Sequence, residues 1–444
     1  MRAVHARRHL LFLFALAAIA IAATSGAATP SPQQAALAGT LKTIKITGTQ
    51  RYTSDQVGVA SGLKIGQALN RDMLQAAADQ LAQLGLFSKV NYRYTTYPDQ
   101  SVEAEFSLED APTVPVDFDN FPWFTDEELT AALRKSVFLF DGTAPQGGTI
   151  LDQMTAALEA LLPSRGVQGT VERTLITEPV GEGMMMQFRV EGASLPVESV
   201  QFGDALASDS PKLQDRLSDI LGKPFSRYML EVFESEQVAP LYLAAGHLHA
   251  KFAQPIPRFT GDPNGPPPKS LVVIFPIEPG PLYHWGGAQW NGNTVLDAAS
   301  LNELIGLKPG DVADAMQITG AWQRIQDAYG HGGRLDATLT PVATFDEAGA
   351  RVTYSISVEE GPLYRMGDLI ITGLSLDAEN RVRAAWRLLP AQIFDSAYCD
   401  QFLDKLQKPT REIFGDLPVH YNDVGHYVRK DPDKHIADLL LDFK

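Results

Sequence analysis

The chain has 444 residues, 45% hydrophobic and 20% charged, which excludes a mostly disordered protein, a class poorer in apolar side chains. Lys and Arg total 37 against 53 Asp and Glu, a formal charge of -16. Nucleic-acid binding needs Lys and Arg clustered against phosphates, so this balance argues against it and against broad contact with anionic lipid.

Arg2, Arg7 and Arg8 precede an apolar run over 10–23, and the small residues Ser25, Gly26, Ala27 and Ala28 follow. This order predicts an export signal over 1–28, because the run falls short of the roughly 20 residues a membrane-spanning helix needs. Residues 29–40, rich in Pro, Ala, Gln and Ser, read as a linker. No second run of spanning length follows, so the expectation is an exported protein, periplasmic or secreted, with membrane association at most peripheral. Cys399 is the one cysteine in the sequence, which leaves no intramolecular disulfide and no Cys-rich zinc site. It falls in a predicted helix, where burial is expected.

The mature chain opens on Ile44-Lys45-Ile46-Thr47-Gly48, a strand closed by a glycine turn. Ser54 and Asp55 can cap a helix through Val57 and Val59, which the stretch 62–66 breaks. Asn70 caps a second helix, where Leu74, Ala77, Ala78, Leu81 and Leu84 recur at helical spacing, and Gly85 ends it. Two alternating runs follow, with Val90, Tyr92 and Tyr94 on one face and Val102, Ala104, Phe106 and Leu108 on another. The predicted order is strand, helix, helix, strand, strand.

That order returns along the chain. Weaker starts lie at 116–120 and 200–204, clearer ones at 289–293 and 370–373. Glu278-Pro279-Gly280-Pro281-Leu282-Tyr283 is echoed by Glu360-Gly361-Pro362-Leu363-Tyr364. Predicted helices over 151–161, 227–243, 315–329 and 397–414 each precede a predicted strand, at 170–175, 247–252, 335–339 and 419–424. Pro240 and Pro409 are expected to kink or split their helices. The Pro-rich stretch 254–268 reads as a long exposed hairpin loop. The linkers are short, so an extended, fairly stiff series of small α+β domains is expected.

The run from Ile44 through Gly48, Tyr52, 62–66, Leu81, Gly85-Leu86-Phe87 and on to Glu109 resembles a POTRA (polypeptide-transport-associated) domain. The resemblance extends over about 41–444 and implies an α+β fold of five tandem β-α-α-β-β units. These are POTRA-like domains at 41–110, 111–192, 193–280, 281–361 and 362–444, of which the second and third are divergent. Such a series is similar to the periplasmic part of BamA-type outer-membrane assembly proteins. It implies a role at the outer membrane, with unfolded or partner outer-membrane proteins, or a separate β-barrel protein, as partners. The barrel that follows in that family has no counterpart here. The expectation is therefore a stand-alone POTRA protein or the truncated periplasmic part of a barrel-bearing one, with a structural spacer or envelope tether as the alternative role.

The resemblance also implies that the strand after the second helix lies at a sheet edge. An edge leaves backbone N–H and C=O groups to pair with an extended client, with little demand on its sequence. The candidates on these strands are Val90, Tyr92, Tyr94, Thr170, Val171, His249, Phe252, Leu335, Thr338, Val419 and Tyr421. The alternative for the aromatic residues is packing on the helices.

No sequence motif of an enzyme emerges. No nucleophile elbow, P-loop or H-E-x-x-H is present. Gly330-His331-Gly332-Gly333 follows a helix and precedes a strand, the reverse of a phosphate loop. His247 and His249 would share a strand face but have no evident third ligand. The pair Glu359-Glu360 reads as a repeated structural corner. No catalytic residue, cofactor or metal site is expected.

Overall fold

A computed structural model describes residues 39–259, 268–408 and 410–444. The expected export signal, the linker up to residue 38, residues 260–267 of the Pro-rich stretch and Pro409 lie outside the described residues. The chain divides into two compact units, one ending at Ala111 and one beginning at Pro112.

In the first, strand Gly39–Thr47 leads to helices Ser54–Ala60 and Arg71–Gln83, then to strands Phe87–Thr96 and Ser101–Asp110. The first helix is capped by Thr53, one residue ahead of the expected Ser54 and Asp55. Its hydroxyl accepts the Gln56 amide while the Gln56 side chain accepts the Thr53 amide, a reciprocal pair that satisfies two otherwise orphaned donors. Asn70 caps the second helix by accepting the Met73 N–H at 2.8 Å. That helix buries Leu74, Ala77, Ala78 and Leu81. The last strand buries Val102, Ala104, Phe106 and Leu108. An apolar helix stripe and an apolar sheet face in so small a unit share one core. The last strand is central, parallel to Gly39–Thr47 and antiparallel to Phe87–Thr96, so Phe87–Thr96 lies at the edge.

The wiring recurs from Pro112 on. Thr113–Phe118 runs parallel to Met184–Glu191, with Thr170–Thr177 antiparallel outside it. Val197–Phe202, Leu271–Phe275 and Ile256–Phe259 take the same roles. So do His284–Asn291, Arg351–Glu359 and Thr338–Asp346, and Arg365–Thr372, Ile436–Phe443 and Val424–Asp431. The last three sheets have separate cores, represented by Phe233 and Phe275, by Trp285 and Ile325, and by Phe394 and Leu439. The fold is α+β, as expected.

The glycine that closes the first strand in three repeats has one cause. Gly48, Gly292 and Gly373 take φ of 94°, 84° and 86°. A Cβ there would lie 2.1, 2.3 and 1.9 Å from the carbonyl oxygen of Leu108, Val358 and Phe443 on the neighbouring central strand.

Several expected elements shift. The strand expected over 247–252 shrinks to Lys251–Phe252, paired with Ile277–Glu278. His247 accepts a turn bond from Ala250, so His247 and His249 share no strand face. The edge of the sheet built on Val197–Phe202 and Leu271–Phe275 is Ile256–Phe259, inside the expected loop. Pro255 and Pro257 masked it in the sequence, yet an edge strand tolerates Pro where no ladder donor is needed. The expected strand over 335–339 begins only at Thr338 and runs to Asp346, and that over 419–424 is replaced by Val424–Asp431. Leu335, Val419 and Tyr421 are half-buried against the core of the last sheet rather than on edge strands. The helix expected over 227–243 runs as Arg227–Phe233, a π-turn Glu234–Val238 and Ala239–Ala244. The wider turn absorbs the missing N–H of Pro240.

Candidate protein-interaction edges

Strand addition requires backbone groups that point away from the sheet, and the ladder phase shows which ones do. In the first unit Tyr97 donates to the Ser101 carbonyl at 2.9 Å. Alternation along an antiparallel pair then assigns residues 89, 91, 93 and 95 to the inner ladder. Val90, Tyr92, Tyr94 and Thr96 turn N–H and C=O to the open side. The Tyr92 side chain faces the second helix: it donates to Gln75 Oε1 at 3.1 Å, and its ring centroid lies 6.2 Å from that of Phe106. Tyr92 and Tyr94 therefore leave backbone groups on the open side of the sheet, while their rings are half-buried.

The exposed flank of this edge carries Lys89, Asn91, Arg93 and Thr95. Arg93 donates Nε and Nη2 to Glu105 Oε2 at 2.9 and 2.7 Å, directly across the ladder. The guanidinium holds the Glu105 carboxyl below its ordinary range. Arg429 and Asp438 repeat the arrangement across the last sheet, at 3.1 and 2.6 Å.

The other edges are less open. In Thr170–Thr177 the bond from Glu178 to the Gly183 carbonyl sets Val171 outward, but Glu159 Oε1 takes the Val171 N–H at 2.8 Å. Thr170 is exposed and Val171 buried. In Thr338–Asp346 Pro341 removes a donor in mid-strand, and Pro257 does so in Ile256–Phe259. Val424–Asp431 carries no Pro, and Tyr427 is exposed on it. Among the described residues, Phe87–Thr96 offers the longest run of outward groups without Pro or a side-chain acceptor.

The remaining sequence candidates serve packing. Phe252 meets Tyr242 edge-on at 5.5 Å. Tyr421 donates to the Leu406 carbonyl at 2.7 Å and meets Phe443 at 4.9 Å. Thr338 starts an edge strand and is exposed. Two signals in the sequence went unread: the turn Asp431-Pro432-Asp433-Lys434, which marks Val424–Asp431 as the strand before it, and the alternation of Ile256 with Arg258.

Leu335 and His249 belong instead to joints between successive sheets of the unit that begins at Pro112. Leu248 and Leu335, two residues after Gly246 and Gly333, pack against the cores of the following sheets. Tyr283 and Tyr364, which end the echoed Gly-Pro-Leu-Tyr motifs, donate their amides to the Gly246 and Gly333 carbonyls at 2.9 and 2.8 Å. Both hydroxyls are bonded. Tyr283 donates to Glu347 Oε2 at 2.6 Å, and His249 Nδ1 lies 3.0 Å from the Tyr283 hydroxyl oxygen. Tyr364 donates to Asp336 Oδ2 at 2.6 Å, and Lys430 pairs with Asp336. Burial and the adjacent carboxylate push Tyr283 up to about 12. The motif pair read as a repeat in the sequence is thus the fastening of one sheet to the next.

Glu360 accepts the Thr294 and Val295 amides and the Tyr329 hydroxyl, the structural corner expected of Glu359-Glu360. Among the described residues no group of three or more His, Cys, Asp or Glu is arranged to hold a metal ion. Cys399 is buried, which pushes its thiol up to about 12. No helix among the described residues is long and apolar enough to cross a membrane.

The POTRA family model, described as a surface antigen variable number repeat, matches residues 40–119 and 283–361. A protein of Treponema pallidum (strain Nichols) named as an outer membrane protein assembly factor is 23% identical over 266 residues. The alignment covers 58% of this chain and 30% of that protein's length. Among solved structures, Haemophilus influenzae BamA POTRA3-5 aligns over 57% of this chain and 97% of that one, with TM-score 0.42 and 17% identity. POTRA1-3 of Omp85 from Anabaena aligns over 72% and 95%, with TM-score 0.19 and 13% identity.

Proposed function

We propose that this chain is a non-enzymatic protein-binding array of the periplasm that assists outer-membrane protein assembly by adding client strands to its sheet edges. The two POTRA segments and the name of the Treponema pallidum relative support the assembly role. In this reading the POTRA-like domains are 41–110, 111–192, 193–280, 281–361 and 362–444. The clients are unfolded outer-membrane proteins or a separate β-barrel protein.

The observation that carries the mechanism is the open backbone of Val90, Tyr92, Tyr94 and Thr96 beside a Pro-free strand. Pairing through main chain suits a protein that handles many sequences. The test is Tyr94→Pro against Tyr94→Ala. Both lose the ring, but only Pro removes an outward donor, and the Tyr94 N–H is not part of the inner ladder. Binding of an unfolded barrel-strand peptide, followed by fluorescence anisotropy, should weaken about three- to tenfold more in Tyr94→Pro, the worth of one backbone bond. Equal binding by the two variants would refute strand addition at this edge. A spacer role is the second reading, favoured by the interlocked joints at Gly246 and Gly333.

A further inference from the structure

The joints at Gly246 and Gly333 share one construction but close on different charges. The residue three after each glycine reaches the Tyr hydroxyl of the next sheet: His249 in one, Asp336 in the other. The direction of each bond at the first joint is fixed by donor counting. A carboxylate only accepts, so the single Tyr283 proton goes to Glu347 Oε2 at 2.6 Å. The Tyr283 oxygen, 3.0 Å from His249 Nδ1, must then accept, which places a proton on Nδ1. Nε2 is left as the site for a second proton. Glu347 Oε1 is 3.6 Å from the ring, and the Phe345 ring covers it at 4.2 Å.

We propose that acid tightens the joint at Gly246, through a second proton on His249, and leaves the joint at Gly333 unchanged. Protonation turns the ring into a cation, strengthens its donation to Tyr283 and adds attraction to Glu347. Imidazole is the side chain whose charge changes between about pH 5 and 8, whereas Lys430 and the Tyr364 hydroxyl hold the Asp336 carboxyl below its ordinary range. The other charged or titratable groups around His249 come from each element packed there. They are His247 on its own segment, with Nδ1 3.2 Å from the Gly280 carbonyl, Lys251 across from Glu278, and Asp346 across from Arg351 at the base of the hairpin. His247, the second histidine of this segment, is removed in a control variant.

Amide hydrogen exchange on the full chain tests this, with rates corrected for the intrinsic effect of pH. The two joints serve as reporter and internal reference, because the Tyr283 and Tyr364 amides make equivalent bonds. Between about pH 8 and about pH 5.5 the peptide containing Tyr283 should gain about two- to fivefold protection, the size of a partly exposed ion pair. The peptide containing Tyr364 should not change. His249→Gln and Glu347→Gln should each abolish the gain, with Tyr364 protection retained as proof of folding, and His247→Gln should preserve it. An equal gain at both joints would mean a change in overall stability and would overturn the proposal. So would a gain that survives His249→Gln, or no gain in the wild-type chain.

Discussion

Ala391 sits in the left-handed backbone region, with φ of 68°. It occupies a turn that other repeats fill with glycine. Its amide donates to the Met366 carbonyl at 2.7 Å, as Gly66 does to Leu41, Gly222 to Val197 and Gly310 to Trp285. Those glycines have φ of 86°, 74° and 98°. A side chain in this region costs roughly 1–2 kcal/mol, offset in part by the greater freedom of glycine in the unfolded chain. Ala391→Gly should therefore raise stability by about 1 kcal/mol in urea denaturation, and a loss of stability would contradict the assignment. Glu234 is a second residue under strain, here electrostatic. It is 8% exposed, and burial together with Glu231 pushes its carboxyl up to about 7. The folded chain thus keeps a proton that the unfolded chain has lost, so stability falls as pH rises from about 4.5 through about 7. Above that range the cost is on the order of 1–3 kcal/mol. Glu234→Gln should match the wild type near pH 4.5 and exceed its stability by that amount at pH 8, measured by denaturation at both values. A variant less stable at pH 8 would refute it. Neither residue was legible in the sequence. Both depend on a backbone angle or a burial that only the neighbouring strands and helices create.

At the scale of elements, local chemistry was legible where one residue type leaves a single option. Asn70 capped its helix, Gly85 ended it, and the alternation over 102–108 marked a half-buried strand. Legibility failed where tertiary packing overrides alternation. Leu335, Val419 and Tyr421 carry strand-like patterns, yet each sits before its strand, Leu335 drawn to the core of the next sheet and Val419 and Tyr421 to the core of their own. Pro257 and Pro341 show the opposite bias: they suppress a strand reading although an edge accommodates them. Pro341 also protects, because Thr338–Thr344 bears no charge to blunt pairing with another chain. Pro341→Val restores an outward donor to that edge. The variant should self-associate at concentrations where the wild-type chain sediments as before, read by analytical ultracentrifugation. Unchanged sedimentation would show that Pro341 is not what guards the edge.

For the molecule as a whole, the repeat was the most legible feature, and what it serves was the least. The Gly-Pro-Leu-Tyr motifs marked successive sheets in the sequence. Their work as joints emerges only when Leu248 and Leu335 are seen to pack in the core of the next sheet. The charge of -16 favours solubility and repulsion between copies. On such a chain Phe87–Thr96 is an edge whose outward backbone groups are blocked by neither Pro nor a side-chain acceptor. The proposed assembly role therefore rests most heavily on one strand, and the direct measurement is photocrosslinking in the native envelope. A photoreactive side chain at Asn91, exposed on the Phe87–Thr96 edge, places the probe beside any added strand. Capture of unfolded β-barrel proteins from that position, lost when Tyr94→Pro is added, is the expected result. Capture of wall or scaffolding components alone, or barrel-protein capture that survives Tyr94→Pro, would contradict the account.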